Sequence, residues 1–294
     1  MTIHALNVIQ YVRENLKQAL SIKVGSKFHN SLALAIEEIK QQDDQLTAHP
    51  LVNLFNELFF EHRDLDVHNL APLTASCLNV ALMDLKTNLD KATFKKKLHN
   101  AMRGNKRNHE SLVQYLDGLF ERHAKLLIVR LDIHYAESIS NDITFDKAVK
   151  DRTDYINAIK RKYNHLVGYI WKMECGRKRG IHHHLIFIFN GHKVQNDITL
   201  CRQLGEDWKS MSDEPRTYYN CNADKDKYEY WKSYGIGTVT YNDRDKRYVL
   251  KDKVISYLTK NDEEMLALTP LGCRVVGKSQ LPATKQSGGR RRAS

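Results

Sequence analysis

The sequence predicts an α+β protein: a helical region followed by a ferredoxin-like βαββαβ core on an antiparallel sheet. Three observations carry this prediction. Apolar residues recur at helical spacing through the first 120 residues. Near Lys125 the texture changes to β-branched and aromatic runs with period-two alternation. From there the order is strand, helix, strand, strand, helix, strand, helix, which is the split βαβ plan with one added helix.

The elements follow in order. Residues 31–40 place Leu32, Leu34, Ala35, Ile36 and Ile39 at helical spacing. His49-Pro50 opens a second helix over 51–60. Residues 71–89 form a third, with Pro72 suited to a first turn. Residues 110–123 form a fourth. The first predicted strand, 126–135, sets Arg130, Asp132 and His134 on one face and Val129, Leu131 and Ile133 on the other. A helix over 145–163 leads to a second strand, 167–174. Gly176-Arg177-Lys178-Arg179-Gly180 reads as a turn, so the strand that follows should close an antiparallel hairpin. A helix over 200–210, a strand around 234–240 and a helix over 251–260 complete the core. The expected divisions are a helical accessory region, 1–124, the sheet domain, 125–280, and a basic tail, 281–294.

Composition narrows the partners. The net charge is +11 and the basic residues cluster. Lys95, Lys96, Lys97, Arg103, Lys106 and Arg107 share one short stretch, and Arg290, Arg291 and Arg292 form a run after Ser287-Gly288-Gly289. Clustered charge favours a polyanion such as nucleic acid. Five scattered cysteines, never spaced Cys-x-x-Cys, argue against a disulfide framework or a zinc ribbon. No run of about 18 apolar residues is present and the first residues do not resemble a secretory signal, so a cytoplasmic protein without membrane contact is expected.

The chemistry concentrates on Gly180-Ile181-His182-His183-His184-Leu185-Ile186-Phe187-Ile188-Phe189. On a strand, His182 and His184 share a face and His183 takes the opposite one. Two imidazoles on one face are a ready pair of metal ligands, and His183 is assigned to packing. Glu174, near the end of the preceding strand, comes beside them across the short turn. Two histidines and a carboxylate leave open positions on Mg²⁺ or Mn²⁺ for water and a phosphate oxygen. Attack on the phosphate needs a nucleophile, either water or a tyrosine. Tyr257 is the candidate, because Lys260 follows three residues later on the same predicted helix and can hold a phosphate or offset charge. Asp132 and His134 are assigned to support of the site. Tyr218-Tyr219 is ranked below Tyr257, because its surroundings read as a loop. Arg130, Lys172, Arg177, Lys178 and Arg179 are candidate DNA contacts.

These motifs resemble the HUH endonuclease superfamily, whose members include rolling-circle replication initiators and conjugative relaxases. The finer resemblance is to inovirus-type initiators and their prophage relatives, the YagK/YfjJ-like proteins. It rests on Val129-Arg130-Leu131-Asp132-Ile133-His134-Tyr135, on Trp171-Lys172-Met173-Glu174 through His184, on residues 255–260 and on Cys273-Arg274-Val275-Val276-Gly277-Lys278-Ser279, and covers about residues 125–280. The middle histidine, His183, departs from the usual motif. The resemblance implies His182 and His184 as ligands, Glu174 as the third, and Tyr257 as a nucleophile that takes a 5′ phosphate from single-stranded DNA. On this reading the free 3′-OH primes a host polymerase, the charge of the helical region points to a duplex replication origin, and the need for a host helicase stays open. Two alternatives stay open: a DNA-binding regulator without catalysis, and a metal nuclease that uses water. An RNA-binding domain on the same plan leaves the histidine pair unexplained.

Overall fold

The computed structural model describes residues 3–15, 26–40, 49–68, 71–176, 179–224, 235–260, 265, 268–270 and 272–281. Arg177, Lys178, Tyr234 and most of the basic tail lie outside these.

The protein is α+β, with helices preceding one antiparallel six-stranded sheet. Helices α1 (Ile3–Glu14), α2 (Lys27–Lys40), α3 (Pro50–Phe59) and α4 (Pro72–Asp90) bury a core of their own around Val8, Leu32, Ile36, Phe55, Phe59 and Leu82. Pro50 occupies the first turn of α3, and the His49 ring accepts a hydrogen bond from the Leu51 amide at 3.3 Å. The basic stretch continues a helix rather than interrupting one. It forms the first half of α5 (Ala92–Arg122), whose 31 residues span about 46 Å. The second half of α5 packs Leu112, Tyr115, Leu116, Leu119 and Phe120 against the sheet. The expected boundary near residue 124 therefore falls at the end of a helix that the sheet's own core includes.

The sheet comprises β1 (Lys125–Tyr135), β2 (Leu166–Gly176), β3 (Gly180–Asn190), β4 (Arg216–Asn220), β5 (Gly237–Thr240) and β6 (Val276–Lys278). Helix α6 (Phe145–Lys162) joins β1 to β2, and α7 (Asp197–Ser210) joins β3 to β4. The strand order is β4-β1-β3-β2-β6, with β5 also pairing to β1. The hairpin forms as the turn glycines suggest: Glu174 lies opposite His182, and Gly176 opposite Gly180. Gly180 has a φ of 56°, and a Cβ there would stand 2.2 Å from the Ser140 carbonyl oxygen, so only glycine fits.

Helix α1, the first half of α5 and strand β6 are additions to the expected elements, and two other elements change character. Tyr218 and Tyr219 are in β4, not a loop; this short strand pairs with Leu131–Tyr135 of β1. The second concerns the last helical segment, which begins earlier than residue 251. It runs as α8 (Arg244–Val249), a π-helical segment (Leu250–Ile255) and α9 (Ser256–Thr259).

β4 and β5 lie end to end along the same edge of β1, leaving Val129 and Arg130 between them. The fully buried Asn222 fills this gap. Its Oδ1 accepts from the Arg130 amide at 2.8 Å, and its Nδ2 donates to the Ile128 carbonyl at 3.0 Å.

The sheet faces divide cleanly. One packs Leu131, Ile133, Leu185 and Phe187 under α6 and α7. The other packs Ile128, Ile170, Ile186 and Ile188 under α5, the π-helical segment and α9. On this second face the apolar layer stops at the level of Arg130, Lys172 and His184, where polar side chains take over.

Candidate functional site

Alternation along three adjacent strands builds the site. Asp132 of β1 and Lys172 of β2 lie directly opposite His184 of β3, and Glu174 lies opposite His182. Glu174, His182 and His184 each offer a ligand atom, and these atoms lie within 4.8 Å of one another.

Both imidazoles are held by one nitrogen and present the other. The His182 Nδ1 lies 3.1 Å from the Gly180 carbonyl oxygen, and its Nε2 lies 3.7 Å from the Glu174 Oε2. The His184 Nδ1 stands 2.8 Å from the Asp132 Oδ1, and its Nε2 2.9 Å from the same Glu174 Oε2. Such outer contacts orient metal-binding histidines. Asp132 thus contacts the His184 nitrogen that faces away from Glu174. His134 stacks beside His182 with ring centroids 5.2 Å apart.

Electrostatics follow from these contacts. Burial alone would raise the Glu174 carboxyl, but hydrogen bonds from His182, His184 and Lys172 hold it well below the usual carboxylate range. Burial would lower His184, yet Asp132 and Glu174 outweigh it and raise its pKa. For His134 the Asp132 charge compensates only in part: burial, then His182, takes it down to about 4. The donor set of two imidazole nitrogens and one ionised carboxylate, each oriented from behind, fits a divalent cation with open positions.

Tyr257 completes the arrangement. Its ring meets His184 edge-on at 5.4 Å, and its side chain is partly open to solvent, with 42% of the residue exposed. The Arg130 guanidinium lies 4.9 Å from the ring centroid, and the Lys172 ammonium 5.7 Å. Burial and then the Glu174 charge push the phenol up, while Arg130 pulls it down. The buried Leu250, Val254, Ile255 and Leu258 anchor this helix against the sheet, and the His109 ring of α5 lies 3.2 Å from the Ser256 hydroxyl. Tyr257 stands in the helical turn that follows the π-helical stretch, a feature frequent at functional sites.

The other expected residues divide. Lys260 is not on the Tyr257 helix face. It is the C-cap, in an extended conformation with ψ of 143°, and its side chain is exposed. Lys172 is buried at 3% exposure, which leaves it no surface to offer a DNA strand. Its ammonium donates to Glu174 and, at 3.1 Å, to the Lys260 carbonyl oxygen. Arg130 lies at the site and pairs loosely with Asp132 at 3.5 Å. Arg179 is exposed on the hairpin turn. His183 is fully buried on the opposite face. Tyr219, across from Asp132, is on the site's side of the sheet, with its hydroxyl bonded to Asp224. Tyr218 faces α7 and bonds Glu206 at 2.9 Å.

Among the described residues no helix is long and apolar enough to cross a membrane. The family model for the YagK/YfjJ C-terminal domain matches residues 89–268, more than half of the chain. The chain belongs to the YagK/YfjJ C-terminal domain family. The matched span begins just before α5 and contains every residue of the site described above. No curated protein and no solved structure matches the chain.

Proposed function

We propose that this protein is a metal-dependent tyrosine endonuclease and strand transferase of the HUH type. It nicks single-stranded DNA and rejoins it through a 5′-phosphotyrosine, as the inovirus-type replication initiators do. The observation that carries this reading is the edge-on approach of Tyr257 to His184, beside Glu174 and His182.

His182, His184 and Glu174 hold Mg²⁺ or Mn²⁺, which when bound supplies Lewis-acid polarisation of a phosphate oxygen. Tyr257 Oη attacks phosphorus as the bond to the 3′ oxygen breaks, so the DNA keeps a 3′-OH and the 5′ phosphate stays on the tyrosine. The phenol proton leaves from the solvent-facing side of the ring, and its net destination is the departing 3′ oxygen. Arg130 offsets negative charge that develops near the ring. In the reverse reaction a 3′-OH attacks the phosphotyrosine, closing the strand and restoring Tyr257. A host polymerase extends the exposed 3′-OH and a host helicase opens the duplex. The basic first half of α5, which carries Lys95, Lys96, Arg103, Lys106 and Arg107, is the surface for the duplex origin.

The test incubates the protein with a pool of single-stranded oligonucleotides and Mn²⁺, then looks for an adduct on a denaturing gel and maps it by mass spectrometry. An adduct on Tyr257, lost on the order of 10³-fold in Tyr257→Phe, supports the reading. Cleavage that survives Tyr257→Phe identifies a water-using nuclease instead. Binding without cleavage identifies a regulator.

A further inference from the structure

Among the described residues Lys172 is the one buried ammonium at the site, and it touches two parts of the molecule that chemistry would have to bring together. From the middle of β2 it donates to Glu174, the carboxylate of the ligand cluster. It also donates to the Lys260 carbonyl, 88 residues away in sequence. Lys260 caps the helix carrying Tyr257, and its own amide bonds back to the Tyr257 carbonyl at 3.3 Å. A continuous chain of contacts therefore runs from Glu174 through Lys172 and Lys260 to Tyr257. The Glu174 oxygens divide the work: Oε2 faces the histidines, and Oε1 faces Lys172.

We propose that Lys172 is a positioning residue that couples occupancy of the Glu174–His182–His184 site to the placement of Tyr257. The inference deepens the nicking reading and rests on it for its purpose, but the coupling itself is independent of turnover. Glu174, His182 and His184 would hold a divalent cation, whose charge would weaken the pull of Glu174 on the Lys172 ammonium. The Lys260 carbonyl becomes the stronger partner of Lys172, and the end of the tyrosine helix tightens. Lysine suits this task because it is a compact point charge on a flexible stem. Burial keeps water from taking over either hydrogen bond.

Lys172→Met keeps the apolar stem and removes the charge. Its effects on the two halves of the site run in opposite directions. Mn²⁺, measured by titration calorimetry, binds about three- to tenfold tighter, because a competing positive charge is gone. Hydrogen exchange at the peptide carrying Tyr257, at least twofold slower with Mn²⁺ in the wild-type protein, becomes insensitive to Mn²⁺. Adduct yield on the oligonucleotide pool falls at least tenfold. Lys172→Arg, which can span both oxygens, recovers part of the Mn²⁺-dependent exchange.

Wild-type exchange at that peptide that ignores bound Mn²⁺ overturns the proposal. Unchanged coupling in Lys172→Met overturns it equally, as does weaker Mn²⁺ binding there, the mark of a purely structural lysine. A variant that fails to fold leaves the wild-type exchange measurement and Lys172→Arg to decide. Metal-dependent exchange without any adduct defeats the nicking reading and spares the coupling. An adduct without metal-dependent exchange does the reverse.

Discussion

The two faces of β3 carry the same residue type into opposite circumstances. His184 on one face lies between Asp132 and Glu174, and its pKa rises. His183 on the other face is enclosed beneath α6, near Arg152, and burial takes its pKa far down. One peptide unit separates them. Neighbouring strands, not the histidine triplet itself, decide which imidazole stands between carboxylates and which fills space. On the site face His182, His184 and Lys172 each have a carboxylate or a carbonyl as counterpart. The opposite face around His183 is Leu185, Phe187 and Met173.

The sharpest way to break this contrast is to remove one imidazole at a time. His184→Ala or His182→Ala should weaken Mn²⁺ binding more than about 100-fold, about 2.7 kcal/mol. His183→Leu should leave Mn²⁺ affinity within about twofold and stability within about 1.5 kcal/mol, because it keeps a buried apolar volume. Calorimetric titration beside thermal melting separates the two results. Equal losses at all three positions would mean that the faces are not chemically distinct.

The second contrast is between His184, with its carboxylates, and His134, which burial leaves neutral. The folded pKa of His134, about 4, lies below its unfolded value of about 6.5. The unfolded chain therefore binds more protons in that window. The stability is present above about pH 6.5 and is lost as pH falls toward 4, by up to about 3 kcal/mol. Urea midpoints measured across this range should show the slope, and His134→Gln should flatten it.

Asp132→Asn probes the support behind His184. It should weaken Mn²⁺ binding by about 10- to 100-fold without removing a ligand. Lys260→Ala should do least, shifting stability by less than about 0.5 kcal/mol, because the contact it makes runs through its backbone carbonyl. A large loss of stability there would return the lysine side chain to the packing of the tyrosine helix.

Much of this arrangement was legible before the coordinates. Strand alternation alone separated His183 from its neighbours, and glycines at both ends of the turn set Glu174 against His182. What escaped the sequence depended on long-range contacts. Lys172 reads as a surface cation on a strand, and its burial comes from the Lys260 carbonyl, which no local pattern announces. Lys260 sits at helical spacing from Tyr257, yet the helix ends at Thr259, one residue short. β4 is five residues long, and its inward positions are Arg216, Tyr218 and Asn220, so it lacks the aliphatic face that marks a strand. The basic run of α5 interrupted the apolar period, which concealed a 31-residue helix.

Asn222 has a consequence beyond sealing a gap. Where β4 hands over to β5, the amide of one side chain stands in for a missing peptide group, offering β1 the donor and the acceptor that a continuous neighbour would have supplied. The exposed rung that would otherwise invite a foreign strand to add itself is thereby blocked. Arg130, whose amide Asn222 holds, is kept in register with Ile186. A single buried carboxamide thus satisfies the ladder groups of β1 at this gap and fixes the strand position from which a guanidinium reaches the tyrosine.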